Sequence, residues 1–230
     1  MAQHRLQYAK VSLICLALFC FAQGGAMWSY AGGSWLHPHA LSHSFFENFW
    51  CDLLRDPAHN GKPNHLSSWL ASLGFVALAG ALASYWLELA RVLPSGWARF
   101  LRLAGPASAV ATAAVALVPS DRFPVIHAPA VLTAGGLGFV CGCVCSAWAF
   151  AQRRASPVFA LSSFLLVGAA AVNLVLYVRV AYFDGPNTIA LPVVQKLATL
   201  ALVAWMVAGL SVSAHRARPC APSNDSRTAK

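Results

Sequence analysis

The chain has 230 residues, of which 58% are hydrophobic and only 10% charged, and its formal net charge is +9. Soluble domains carry roughly 25% charged residues, so this composition excludes a water-solvated surface wrapped around an ordinary core. The bases stand singly or in pairs beside apolar runs, which argues against a nucleic-acid partner and assigns them to membrane orientation and anionic lipid.

Apolar runs of about twenty residues, long enough to cross a bilayer as a helix, recur along the chain. Six qualify, at 10–30, 67–91, 97–118, 125–150, 157–180 and 190–212. The expected fold is therefore all-α. It is a polytopic membrane bundle forming a single domain over 1–215, followed by a disordered tail at 216–230.

The first run follows Arg5 and Lys10 as a signal peptide would, but no clear small-x-small cleavage site comes after its core. Retention as a helix is expected. Gly135, Gly136 and Gly138 in the fourth run and Gly168 in the fifth are of the kind that lets membrane helices approach closely.

Orientation follows from the bases. Arg5, Lys10, Arg91, Arg99, Arg102, Arg153, Arg154, Arg216, Arg218, Arg227 and Lys230 fall on one side; Arg55, Lys62, Arg122 and Arg179 fall on the other. The richer side is cytoplasmic by the positive-inside rule, which puts both termini there. The acids Glu47, Asp52, Asp56, Asp121 and Asp184 fall on the opposite, outer side. The one long connection, loop 1 at about 31–66, is then extracytoplasmic.

Within loop 1, Phe45, Phe46, Phe49, Trp50, Leu53 and Leu54 repeat at helical spacing, opposed by Ser44, Asn48, Asp52 and Arg55. This pattern predicts a short amphipathic helix on the outer membrane surface, with Asn48 and Asp52 on one face. Cys51 is the only cysteine expected outside, so no disulfide is expected there. Cys141, Cys143 and Cys145 form a CGCVC run, but a helix turns Cys143 away from the other two, and packing is the expected role.

Three polar clusters remain. Ser67 and Ser68 follow the Asn60-Gly61 and Pro63-Asn64 turns. Asp121 and His127 flank the connection between helices 3 and 4. Asn173 with Tyr177, and Gln195 with Thr199, are each four apart on one face, with Lys196 adjacent and free to snorkel. Intramembrane polar groups are costly unless paired, so these should turn inward and form an outward-facing polar pocket. A pairing of Asp52 with His127 is expected at its mouth.

Tyr30-Ala-Gly-Gly-Ser, Asn48-Phe49 with Asp52-Leu53, Asn60-Gly61-Lys-Pro-Asn64 with Ser67-Ser68, Pro119-Ser-Asp121 with His127, and Gln195-Lys196 together resemble a bacterial six-helix family. That family is known as domain of unknown function 998 and is similar to the wider Frag1/DRAM/Sfk1 group, some of whose members are linked to lipid handling. The resemblance runs from about Tyr30 to Trp205 and implies a six-helix fold without implying a reaction. This chain has Cys51-Asp52-Leu53-Leu54 where the family favours Ser-Asp-Leu-Gly.

Three functions stay open. The first is a protein of the bacterial inner membrane that binds or senses a lipid or small amphiphile through the outer pocket. The second is a membrane-embedded lipid hydrolase or lipid-modifying enzyme using Asp52 and His127, with Ser67 or Ser68 as further candidates. Zinc is conceivable there because His37, His39, His43, His59 and His65 share the outer side. Helices 5 and 6 lack the paired histidines such hydrolases carry, and no cofactor is expected outright. The third is a small transporter, against which stand the lack of an internal repeat and of intramembrane carboxylates other than Glu88.

Overall fold

The computed structural model describes residues 7–151, 156–183, 185–186 and 188–216, with the side chains of 212–216 left aside. Arg5, Arg153, Arg154, Asp184 and the tail beyond Arg216 lie outside the described residues. The described chain is all-helical. Six helices are long and apolar enough to cross a membrane: α1 (Gln7–Ser29), α2 (His65–Leu89), α3 (Ser95–Leu117), α4 (Pro124–Ala151), α5 (Pro157–Tyr182) and α6 (Ala190–Arg216). In hydrocarbon every backbone N–H and C=O needs an internal partner, so uninterrupted apolar runs become helices.

Proline marks several boundaries, as its fixed φ and missing N–H favour helix starts: Pro94 precedes α3, and Pro124 and Pro157 open α4 and α5. Short connections make successive helices antiparallel neighbours. Both described ends therefore lie at one end of the bundle, with loop 1 at the other.

Helices α2 to α6 form a ring in which α6 returns to pack on α2, while α1 lies outside against α2. At the terminal end the ring is closed by aromatic side chains. Trp205 of α6 packs edge-on to Tyr85 of α2 at 4.9 Å and stacks on Phe159 of α5 at 5.7 Å. Its indole N–H donates to Ser163 Oγ at 2.8 Å, which joins α5 to α6. Trp28 and Trp69, 93% and 78% exposed near the loop 1 ends of α1 and α2, stand where interfacial tryptophans anchor a span.

Two expectations are corrected here. Gly135, Gly136 and Gly138 of α4 make no close helix contact: a Cβ on any of them would meet nothing within 4 Å, and the same holds for Gly168. Close approach is made instead by Gly105 against Trp86 and Gly80 against Cys15. Between His127 and Cys141, α4 has no fully buried residue and most of its side chains are half-buried. Cys141 and Cys145 are fully buried and Cys143 is not, as the helical spacing requires.

The second correction concerns loop 1, whose only helical turn is a 3-10 turn at Trp50–Leu54. Asn48, Asp52, Leu53 and Leu54 are all buried, while Phe45 and Phe46 at the start of the segment stay exposed. No amphipathic helix forms because the segment drops into the mouth of the bundle instead of lying on lipid. Leu53 and Leu54 join Ala71 of α2 and Ala26 of α1 in a small core, and the polar side finds protein partners.

Candidate functional site

The loop 1 end of the bundle is sealed by a buried polar network. Asp52 anchors it from the 3-10 turn: Oδ2 accepts the N–H of Phe49 at 2.9 Å and the side-chain amide of Asn48 at 3.1 Å, while Oδ1 lies 3.1 Å from His59 Nε2. Asn48 also donates to Gly33 O at 2.8 Å, and its own carbonyl accepts from the Lys196 ammonium of α6. Asn48 thus stands between a buried cation and a buried anion. Lys196 is fully buried beneath the rings of Phe45 and Trp50, at 5.2 and 5.6 Å. It does not snorkel, because loop 1 supplies both an acceptor and two π faces within the protein.

Gln195 and Thr199, one turn apart on α6, hold the same loop. Gln195 Oε1 accepts the Trp50 backbone N–H and Thr199 Oγ1 accepts its indole N–H, both at 3.0 Å. Ser67 and Ser68 donate to Leu53 O and Leu54 O at 3.3 and 2.9 Å, so these candidate nucleophiles serve as ties from α2 to the 3-10 turn. Asn64 adds donations to the carbonyls of Leu53 and Arg55 and accepts the Ala31 N–H.

His127 is buried near the start of α4, but its Nδ1 lies 2.7 Å from Val118 O, the last turn of α3. Asp52 is hydrogen-bonded to His59, not to His127. The loop folds back through Asp56-Pro57 and brings His59 under the 3-10 turn, which helical spacing could not reveal. Asp121 accepts the Asp56 N–H at 3.4 Å and lies 3.8 Å from Arg122 Nε, joining the α3–α4 connection to loop 1.

The loop's titratable groups are tuned by these contacts. The Asn64 N–H, then the His65 ring, hold the Asp56 carboxyl below its ordinary range; the Ser34 hydroxyl and then His37 do so for Glu47. Burial pushes the Tyr30 hydroxyl up to about 12, aided by the charge of Asp52. His43, set edge-on to Tyr30 at 5.9 Å, is lowered to about 4 by burial and then by the Lys196 charge, with Asp52 opposing.

A histidine so lowered stays neutral when folded but protonates near 6.5 when unfolded, so the unfolded loop binds more protons between those values. Stability therefore falls as pH drops from about 6.5 to 4. The depressed carboxylates hold their contribution above their unfolded values and lose it only as pH falls through the folded ones. We expect amide exchange over 30–64, corrected for intrinsic rate, to rise between pH 7.5 and 5, and His43→Phe to remove most of that rise. Unchanged protection in the wild-type protein would refute the assignment.

Beneath this seal, inside the ring, lies a cavity of about 230 Å³. About 150 Å³ suffices for a benzene-sized guest, so the space is ample for a larger one. Its walls are apolar along Leu78, Leu82, Val131, Leu166 and Leu202, with Gly135 and Gly138 facing it from α4. Its polar residues include Asn173, Tyr177, Gln195 and Thr199 toward the loop 1 end, and Thr112 and Trp86. Along α4 it runs from Val131 to Gly142, about 16 Å at ~1.5 Å per residue.

The anticipated pocket residues therefore divide. Asn173, Tyr177 and Gln195 line the cavity, Asn48 and Lys196 hold the seal above it, and Asp121 latches the two connections. Thr112, Trp86, Gly135, Gly138 and Gly142 line it as well, residues to which sequence alone assigned no cavity. Among the described residues no three His, Cys, Asp or Glu side chains gather to hold a metal ion. Of the suggested ligands, His37 lies 3.0 Å from Glu47, His39 is exposed, and His43 is against Tyr30. Compared with protein-family models, with curated proteins and with solved structures, the chain matches none.

Proposed function

We propose that this multi-pass protein resides in the bacterial inner membrane with both termini in the cytoplasm, and that it binds or senses a single-chain lipid or small amphiphile in the ring cavity. The observation that carries this reading is the cavity's shape. A slot of about 16 Å matches half of a ~30 Å hydrocarbon core, the depth reached by one leaflet's acyl chains. It is apolar along its length and polar toward the loop 1 end, the arrangement expected around a chain with a headgroup. Kinship with domain of unknown function 998 is part of the proposal. Its support is that Tyr30, Gly33, Asn48, Asp52, Asn64, Ser67, Ser68, Gln195 and Lys196, all within the resembling motifs, take part in seating loop 1.

Gly138→Leu fills the slot without a clash, since a Cβ there meets nothing within 4 Å. Protein purified in mild detergent is expected to carry an amphiphile near one per chain, and the variant to lose at least nine-tenths of it while keeping its melting temperature. Equal loading of the two proteins would rule out the slot. For orientation, cysteines placed at Lys62 and at Gly96 on a cysteine-free background are expected to react with an impermeant maleimide in intact cells only at Lys62. The reverse pattern would invert the topology.

A further inference from the structure

The geometry points to a second lipid site, apart from the slot and independent of it. A shallow groove between α3 and α4, at the terminal end of the bundle, seats the glycerol end of an anionic phospholipid with its phosphate on Arg99 and Arg102.

The groove has a volume of about 370 Å³ and is lined by Gly96, Trp97 and Phe100 of α3 and by Val140 and Val144 of α4. Space is left at Gly96, where a Cβ would meet nothing within 4 Å. From Gly96 to Phe100, and from Val140 to Val144, it spans one turn of each helix, about 6 Å at ~1.5 Å per residue. That is too short for a whole acyl chain and suits the start of one. The rest of the chain has a track, since Leu103, Ala107 and Val110 continue the exposed face of α3 on which Gly96 and Phe100 stand.

Arg99 shares that face by its three-residue spacing from Gly96, and Arg102 stands about one turn further along; both are exposed. Beyond Arg102, α3 carries no charged residue to its end at Leu117, so the pair marks the depth where headgroups give way to hydrocarbon. Trp97, half exposed, stands near that level as interfacial tryptophans do.

Charge selects the head. Among the described residues Glu88 is the only carboxylate at this end, and it pairs with Arg91 at 3.2 Å. Arg91 is held further by the Tyr8 ring, 4.5 Å from its guanidinium. No described carboxylate forms an ion pair with Arg99 or Arg102, which leaves two guanidinia three residues apart to a partner outside the chain. The planar fork of arginine meets phosphate oxygens two at a time. A phosphodiester with net negative charge answers both forks, whereas a zwitterionic head brings its own cation to the same place.

The test uses the full chain, stripped of lipid in mild detergent and titrated with dioleoylphosphatidylglycerol or dioleoylphosphatidylcholine, which carry the same chains. Binding is read by native mass spectrometry for the wild type, Arg99→Gln with Arg102→Gln, Gly96→Leu and Gly138→Leu. The anionic lipid is expected to bind the wild type roughly tenfold more tightly, and the double variant to bring the two lipids within about twofold of each other. Gly96→Leu, which fills the groove, should weaken the anionic lipid about tenfold. Both variants should keep the melting temperature, and Gly138→Leu, which fills the slot, should leave the preference unchanged. Equal binding of the two lipids by the wild type, or a preference that survives loss of both arginines, overturns the inference. A preference untouched by Gly96→Leu overturns it too, reducing the pair to an orientation signal, and one abolished by Gly138→Leu moves the lipid to the slot.

Discussion

Lys196→Met is expected to lower the unfolding free energy in mild detergent by about 1–3 kcal/mol, because it leaves the buried Asn48 carbonyl without its donor and removes the buried cation, while Asp52 keeps its bonds to Phe49, Asn48 and His59. Asn48 links the two, its carbonyl on the ammonium and its amide on the Asp52 carboxylate. Asp52→Asn alone should cost less, since an amide oxygen still accepts from Asn48 and Phe49. The double variant should fall short of the summed losses by at least about 1 kcal/mol, as coupled sites do. Losses that add within about 0.5 kcal/mol would show that the two charges are independent.

Gly33→Ala is the second large effect. Gly33 has φ of +82°, and a Cβ there would press on the backbone of Pro38 and Asn60. The left-handed conformation costs an L-residue about 1–2 kcal/mol and the overpacking about 1–3 more. Because Gly33 O also accepts from Asn48, the displacement spreads into the seal. The variant is expected to melt far below the wild type and to be cut within loop 1 by trypsin after Arg55. A wild-type digestion pattern would mean that loop 1 is seated without this turn.

Most of the fold was legible because the bilayer imposes one period and one length on every span. Each of the six apolar runs lies within four residues, at either end, of an observed helix. The polar pairs within a helix were legible for the same reason: Gln195 and Thr199 do share a face, and both meet Trp50. Loop 1 was not legible, because its order comes from partners far along the chain. A helical repeat in Phe45 to Leu54 predicted lipid on one side, whereas α1, α2 and α6 cover Trp50, Leu53 and Leu54 and leave Phe45 and Phe46 exposed. His59 reaches Asp52 only through the fold-back at Asp56-Pro57, and His127 was already held by Val118. The glycines of α4 misled because their spacing suits helix contact as well as it suits an empty wall.

That wall has a consequence for how the cavity is filled. With loop 1 pinned by Trp50, Asn64, Ser67 and Ser68, the route from water is the more heavily guarded one. The wall that α4 and α5 share is the looser one: from Ala128 to Val140 α4 has no fully buried residue, and the Tyr177 hydroxyl reaches Ala128 O across it at 3.4 Å. If the cavity takes an amphiphile as proposed, a guest entering between these helices would be drawn from the leaflet, and occupancy would track its mole fraction among lipids and not its solubility in water. Two amphiphiles of equal contact energy would then be ranked by how abundantly each dissolves in the surrounding bilayer.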